Sequence, residues 1–243
     1  MSVIQVDLTT NGLMVPAFIT AVPLKDYSIA VNNVSGILHP DEMAYFNTLK
    51  YERRQKSYLM GRYACKKVLS IYLNEPNLTA IEIAQGIFGQ PTVRYFTREM
   101  PGISLSHDNS FAVAIAFPDT YSMAVDIETA DEEKVEIMKL QLTVAEIEFS
   151  KSGILSEPLL CTLFWTAKEA LSKLIKCGLT IGFTLLESKI QEKEFDKGFH
   201  ITFKNFSQYQ AQAWVVGNRV FTVAYPLKTE IDLTYEHIYK KLL

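Results

Sequence analysis

The sequence predicts an α+β fold, and three features of the chain support this prediction. Runs in which apolar and polar residues alternate, as in strands of an antiparallel sheet, are separated by turn residues. Two long segments with the helical spacing of apolar residues precede these runs. The two helical segments also share a short similarity, which favours two related lobes, each an antiparallel sheet packed with a long helix.

The composition is that of a globular protein. The chain has 243 residues, of which 48% are apolar, and this is ample for one or two packed cores. A net charge of −3 from nearly balanced acids and bases does not indicate a nucleic-acid binder. Cys65, Cys161 and Cys177 are odd in number and lack metal-type spacing, so we expect a reduced, cytoplasmic location. Neither a leader pattern nor an apolar run of roughly 18 residues occurs, and we expect no membrane insertion.

The first half begins with a β-like segment, Phe18 to Pro23, and AVNNVSG follows as a turn region. His39-Pro40-Asp41 opens a short helix, because proline at the first turn favours helix initiation. Tyr51 to Leu73 forms a longer helix. From Ala80 the period changes to two, and IEIAQG, ISLSH and FAVAIAFP are predicted strands.

The second half begins with the strand YSMAVDIE and an acidic segment, DEEKVEIMKL. Thr143-x-x-Glu146 is a capping-box candidate. A long helix then starts at Ser156-Glu157-Pro158 and ends at Gly178. The alternating runs FHITFKNF, YQAQAWVV and RVFTVAYP follow, and Gly217-Asn218 is a hairpin turn, so we predict an antiparallel meander.

The two long helices align without gaps. Tyr63 to Leu73 placed on Trp165 to Ile175 matches Lys66 with Lys168, Leu69 with Leu171 and Ser70 with Ser172. Chance is an open alternative, since amphipathic helices resemble one another. A true duplication predicts an N-terminal lobe of residues 1–118 and a C-terminal lobe of residues 119–243, with a cleft between them.

Three carboxylates are candidate metal ligands. Asp126 and Glu128 lie two apart in a predicted strand, so both leave the same face of the sheet, where like charges repel unless a cation offsets them. Glu169 and Lys173 lie one helical turn apart. Each pair alone can be a solvated surface feature. Together, three carboxylates suit magnesium bound to phosphate oxygens, and Lys173 could neutralise a phosphoryl oxygen.

Two further segments are candidates for anion contacts. Ser106 and His107 end a predicted strand, where a histidine is usually a local hydrogen-bonding residue. The segment YERRQKSYLMGRYACKK, which contains Arg54, is either the solvated face of a helix or a local positive patch that suits a phosphate monoester.

The segments ISLSHDNSFAVAIA, AVDIE and WTAKEALSK occur in this order. They resemble the signatures of the 4′-phosphopantetheinyl transferases, specifically the longer two-lobed class typified by the surfactin-synthetase activator. The family signatures are Gly-(Ile/Val)-Asp-x-Glu and, about forty residues on, Trp-(Ser/Thr)-x-Lys-Glu-(Ala/Ser)-x-x-Lys. The resemblance covers Arg53 to Glu236 and implies a pseudo-dimer of two α+β lobes with the active site at their interface.

The resemblance implies the activity of a holo-[acyl-carrier-protein] synthase. The 4′-phosphopantetheine group of coenzyme A would move to a serine of an acyl or peptidyl carrier protein, with Mg²⁺ as cofactor and 3′,5′-ADP as the leaving group. We expect a monomer, since two lobes in one chain can build the site. The acidic segment Thr129 to Leu140 is either a carrier-docking surface or a short amphipathic surface helix.

The resemblance also assigns residues. Asp126, Glu128 and Glu169 would hold the magnesium, and Glu169 would act as the base for the serine proton. Lys173 would contact the phosphate that stays with the leaving nucleotide. Further coenzyme A contacts are implied at Arg54, Ser106, His107 and Lys168.

Two departures and two rival functions remain open at this point. Ala124 stands where the first family signature has glycine, a small change that mostly affects strand packing. Gln90 stands where many relatives have lysine, which removes one charge near the coenzyme A phosphates. The rivals are a coenzyme A or nucleotide-binding protein without transferase activity, and a metal-dependent phosphohydrolase.

Overall fold

A computed structural model of the chain describes residues 3–96, 100–192 and 198–242. Six α-helices lie within these residues: α1 (Tyr27–Asn32), α2 (Pro40–Phe46), α3 (Glu52–Tyr72), α4 (Val135–Lys139), α5 (Val144–Ser150) and α6 (Glu157–Leu174). The strands of the first half are β1 (Ile4–Thr10), β2 (Leu13–Pro23), β3 (Glu82–Gln85), β4 (Pro91–Arg94), β5 (Pro101–His107) and β6 (Phe111–Pro118). Those of the second half are β7 (Ala124–Thr129), β8 (Ser188–Glu192), β9 (Phe199–Phe203), β10 (Tyr209–Val216), β11 (Arg219–Pro226) and β12 (Glu230–Ile231).

The strands form two five-stranded sheets and a separate hairpin. The first sheet has the order β12-β1-β2-β6-β5, the second has the order β7-β11-β10-β9-β8, and β3 pairs with β4. All strand pairs are antiparallel. The predicted α+β class and the predicted meander of the second half are therefore confirmed.

The sheets and long helices stack in four layers. On β6, Ala112 and Ala114 face α3, and these small side chains allow the helix to approach the sheet closely. Val113 and Ile115 point to the opposite face and join a core shared with the second sheet. On β11 the pattern repeats, with Phe221 in the shared core. The order is therefore helix, sheet, sheet, helix, with one apolar core at each interface.

The two halves repeat one buried ion pair, which supports the similarity between the long helices. Lys66 on α3 and Lys168 on α6 are both fully buried. The Lys66 ammonium lies 2.8 Å from Glu42, and the Lys168 ammonium lies 2.7 Å from Glu146. Each glutamate is the third residue of the preceding short helix and closes its capping box. The lysine match in the sequence thus corresponds to the same structural role in each half.

Sequence patterns missed parts of the amino-terminal region. AVNNVSG was predicted as a turn region, but its first residues belong to α1, because Ala30 is buried in a core with α3. Strand β1 was not predicted. Its Leu8 pairs with Ile231 of β12, so the end of the chain returns to the first sheet. The proposed lobe boundary after Pro118 falls between β6 and β7 and stays a prediction.

Within the described residues, none of the helices has the combination of length and apolar character that a membrane crossing requires.

Candidate active site

Strand β7 directs two of the predicted metal ligands toward α6. Val125 and Ile127 belong to the core between the sheets, so Asp126 and Glu128 point to the other face, where α6 packs. Strand β7 is at the edge of the second sheet and lies beside β5 of the first. The Val125 N–H donates to Ser104 Oγ at 3.1 Å, which joins the two edges at the site.

Helix α6 brings Glu169 and Lys173 to the same place. Pro158 lies in its first turn, and its apolar stripe packs on the second sheet. The helix contacts β7 along its length. Glu169 and Lys173 lie off the buried stripe, one turn apart. Lys173 reaches Asp126 of β7, and Glu169 is near enough for the Asp126 charge to affect its pKa.

The two oxygens of the Asp126 carboxylate have different surroundings. Its Oδ1 accepts hydrogen bonds from Ser106 Oγ at 2.7 Å and from Lys173 Nζ at 2.6 Å. Lys173 Nζ also donates to Ser106 Oγ at 3.1 Å. In contrast, Oδ2 is buried and has no hydrogen-bond partner. A buried carboxylate oxygen without a donor is costly, and a cation would satisfy it.

The other two carboxylates, Glu128 and Glu169, have raised pKa values, as expected at a site that would bind a cation. Burial, followed by the nearby charge of Asp126, raises the pKa of Glu128 to about 7. Burial and then Asp126 also raise the pKa of Glu169, while Lys173 opposes that rise. Lys134 and Lys173 oppose the rise at Glu128 without cancelling it, and a divalent cation would reverse both shifts.

The three carboxylates approach one another without forming a closed set of ligands. Among the described residues, ligand atoms that all lie within 4.8 Å of one another occur at His39, Asp41 and Glu82 instead. Glu82 there is paired with Arg94, and Asp41 is exposed. The unsatisfied oxygen and the raised pKa values nevertheless make the Asp126 cluster the better fit to a metal ion.

A pocket of about 600 Å³ opens beside this cluster. Glu169 and Lys173 line its polar side, and Phe117 and Met123 line its apolar side. Gln90 lies in the wall contributed by the β3–β4 turn. The volume is within the usual range for small-molecule sites.

His107 and Arg54 lie on the α3 side of β5. His107 Nε2 is 2.7 Å from Ser57 Oγ of α3. Arg54 is exposed and lies one turn before Ser57 on the same helix face. Partial burial lowers the pKa of His107, and the Lys173 ammonium lowers it further.

Ser106 and His107 do not act together in this structure. They are neighbours in a strand, so their side chains leave opposite faces. Ser106 is buried and contacts Asp126, whereas His107 contacts Ser57. The assignment of both residues to the nucleotide end stays a prediction.

The structure corrects the expectation for Lys168. Its ammonium is fully buried and donates to Glu146 Oε2 at 2.7 Å, to the Phe183 carbonyl at 2.9 Å and to the Gln141 carbonyl at 3.0 Å. All three N–H groups have acceptors, so none is left for a phosphate. Lys168 links α6 to α5 and to the segments that contain Gln141 and Phe183, and it does not line the pocket.

Sequence reasoning missed a contact between the halves. Asp108 Oδ2 accepts from Arg219 Nε at 3.0 Å and from Thr129 Oγ1 at 2.8 Å, and Oδ1 accepts from the Ser110 and Phe111 N–H groups. These bonds fix the turn after His107 against the end of β7. The turn itself was visible as HDNS, but the pairing with Arg219 has no local signal.

Residues 122–225 match the family model described as the 4′-phosphopantetheinyl transferase superfamily. The match covers 104 of the 243 residues, which is less than half of the chain. The matched segment runs from just before β7 to the end of β11, so it includes the three carboxylates and Lys173. The first half of the chain lies outside the match.

Solved structures similar to the chain cover about half of it. A holo-(acyl-carrier-protein) synthase from Bacillus anthracis str. Ames in complex with CoA (3′,5′-ADP) has 21% identity and a TM-score of 0.37, and the match covers 47% of this chain and 94% of that one. A holo-ACP-synthase from Plasmodium yoelii has 19% identity and a TM-score of 0.35, with 45% and 94% covered. The holo-[acyl-carrier-protein] synthase (AcpS) of Thermotoga maritima has 20% identity and a TM-score of 0.32, with 54% and 72% covered. No match was found among curated protein sequences.

Proposed function

We propose that the chain is a magnesium-dependent 4′-phosphopantetheinyl transferase of the longer two-lobed class. It moves 4′-phosphopantetheine from coenzyme A to a serine of an acyl or peptidyl carrier protein and releases 3′,5′-ADP. One observation carries the proposal: Asp126, inside the family match, has one carboxylate oxygen held by two donors and the other buried without a partner.

Asp126, Glu128 and Glu169 are the proposed ligands of the ion. Carboxylate oxygens are the ligands that Mg²⁺ prefers in proteins, and Mg²⁺ usually keeps waters and takes phosphate oxygens in its other positions. When bound, the ion would neutralise negative charge on the coenzyme A pyrophosphate. The raised pKa values of Glu128 and Glu169 support this assignment, because burial and the nearby Asp126 charge disfavour both negative charges and a bound cation would stabilise them.

The chain's own residues would position the two phosphates and move one proton. Lys173 borders the pocket, so its ammonium can contact the phosphate that stays with 3′,5′-ADP. Arg54 and His107 would bind the nucleotide end, since an exposed guanidinium suits a phosphate monoester. Glu169 would accept the serine proton, directly or through a water that it holds.

The carrier protein is proposed to dock beside β7. The segment Thr129 to Leu140 leaves the end of that strand and exposes two large apolar side chains, Ile137 at 65% and Leu140 at 78%. Val144, at the start of the next helix, is also 74% exposed. Apolar contacts of this kind suit an acidic partner better than the acids of the same segment would.

The proposal is tested by mass spectrometry of a panel of apo-carrier proteins incubated with the chain, coenzyme A and Mg²⁺. We expect one or more carriers to gain the mass of phosphopantetheine, and Asp126→Ala to abolish the gain. Asp232→Ala is the matched control, since Asp232 is an exposed aspartate outside both the cluster and the segment Thr129 to Leu140. Coenzyme A binding without a mass gain on any carrier would favour a binding protein. Release of phosphopantetheine without a carrier would favour a phosphohydrolase.

A further inference from the structure

We propose that Ser106 is a positioning residue for Asp126 and does not bind the nucleotide. The inference rests on the proposed function, since it concerns the same metal site. Ser106 Oγ lies 2.7 Å from Asp126 Oδ1 and 3.1 Å from Lys173 Nζ. The three side chains form a closed set of hydrogen bonds, because Lys173 Nζ also reaches Oδ1 at 2.6 Å.

The hydrogen-bond inventory of a serine decides between the two roles. A hydroxyl has one proton to donate, and a phosphate oxygen can only accept. Ser106 donates its proton to Asp126 and accepts from Lys173, so it has no donor left for a phosphate. Ser106 is 8% exposed and Asp126 is 3% exposed, which leaves little access for a ligand between them.

The arrangement fixes which carboxylate oxygen is free. Two donors hold Oδ1 and so orient the carboxylate, which leaves Oδ2 as the oxygen available to an ion. Ser106 is itself held by β5, where it pairs with Val113 of β6. The hydroxyl comes from the first sheet and the carboxylate from the second, so Ser106 orients a metal ligand from across the interface of the two sheets.

Ser106→Ala should therefore weaken metal binding. Removing an outer hydrogen-bond partner of a metal ligand typically costs about 10–100-fold in affinity, and we expect a rise of this size in the dissociation constant for Mn²⁺. Affinity for 3′,5′-ADP without metal should not change. Ser106→Thr keeps the hydroxyl on a strand position that suits threonine, and it should restore most of the Mn²⁺ affinity.

Ser104→Ala is the matched control. Ser104 lies on the same face of β5, is 5% exposed and accepts from the N–H of Val125, next to Asp126 in the chain. Its hydroxyl does not contact the Asp126 carboxylate in the structure. This variant loses a serine hydroxyl of similar burial, so it should keep the wild-type dissociation constant for Mn²⁺.

The experiment is a Mn²⁺ titration of the full chain, followed by electron paramagnetic resonance, with no coenzyme A or carrier present. Isothermal titration of 3′,5′-ADP in a chelator is the second measurement, and circular dichroism checks the fold. Should Ser106→Ala not fold, Ser106→Cys gives the same comparison, because a thiol is a weak donor.

A weakened Mn²⁺ affinity in Ser106→Ala, with unchanged nucleotide affinity and rescue by Ser106→Thr, would support the inference. Wild-type Mn²⁺ affinity in Ser106→Ala would overturn it and leave the proposed function intact. Loss of 3′,5′-ADP affinity alone would make Ser106 a nucleotide contact and also overturn it. Absence of Mn²⁺ binding to the wild-type chain would overturn the metal site of the proposed function as well.

Discussion

Replacing Lys168 by methionine should destabilise the protein by about 3–5 kcal/mol, the usual cost of leaving one partner of a buried ion pair alone. The Lys168 ammonium is the positive charge paired with the Glu146 carboxylate, whose side chain is 1% exposed. Without this ammonium, the Gln141 and Phe183 carbonyls also lose a hydrogen-bond donor. Methionine retains most of the apolar length, so the loss is electrostatic. Affinity for coenzyme A should not change, because Lys168 does not reach the pocket.

The assay is urea unfolding, with isothermal titration of coenzyme A on the folded variant. Adding Glu146→Gln to Lys168→Met should recover part of the loss, since no charge is then buried alone. Lys66→Met should cost less, because Arg62 Nε lies 3.7 Å from Glu42 and keeps a positive charge beside that buried carboxylate. The control is Lys67→Met, a partly exposed lysine above the Tyr63 ring, with an expected change within about 1 kcal/mol. Unfolding of Lys168→Met at the wild-type urea concentration, together with weaker coenzyme A binding, would refute the structural role.

Three further outcomes follow from the site. Asp126→Ala should abolish transfer and leave the circular dichroism spectrum unchanged, and Mg²⁺-dependent turnover in this variant would contradict the metal assignment. Folding raises the pKa of Glu128 from 4.5 to about 7, so the folded chain binds that proton more tightly and stability falls as pH rises through this window. Without metal, the free energy of unfolding of Glu128→Gln should therefore exceed that of the wild type by about 1–2 kcal/mol at pH 8, after allowance for solvent screening, and should equal it at pH 4. If the variant and the wild type have equal urea midpoints at pH 8 as well as at pH 4, the raised pKa is contradicted. Gln90→Lys should lower the Michaelis constant for coenzyme A, because Gln90 lines the pocket wall, and an unchanged constant would mean that this position does not reach a phosphate.

Periodic patterns predicted most of the fold. The long helix expected from Tyr51 to Leu73 is observed as Glu52–Tyr72, and the helix after Ser156 begins at Glu157. Both have an apolar stripe that a helical period reveals. Strand β1 was missed because it depends on pairing with β2 and with the distant β12, and local sequence contains no record of such pairing.

For the candidate site, the sequence predicted which face of a strand two carboxylates share, but it did not predict the contacts around them. The two-residue spacing placed Asp126 and Glu128 on one face of a strand, and the structure directs both toward α6. The same reasoning could not distinguish Lys168 from Lys173, because both lie on α6 and only the packing around each decides which is buried. Nor could it find the bond from Ser106 to Asp126, which joins two sheets.

The most direct measurement of the central claim is a crystal structure with Mn²⁺, in which anomalous scattering locates the ion. We expect one ion bound by carboxylate oxygens of Asp126, Glu128 and Glu169 at about 2.0–2.3 Å, with Asp126 Oδ2 as a ligand and Oδ1 still bonded to Ser106. An ion at His39, Asp41 and Glu82 instead, or Glu169 directed away from β7 with the ion present, would contradict the account.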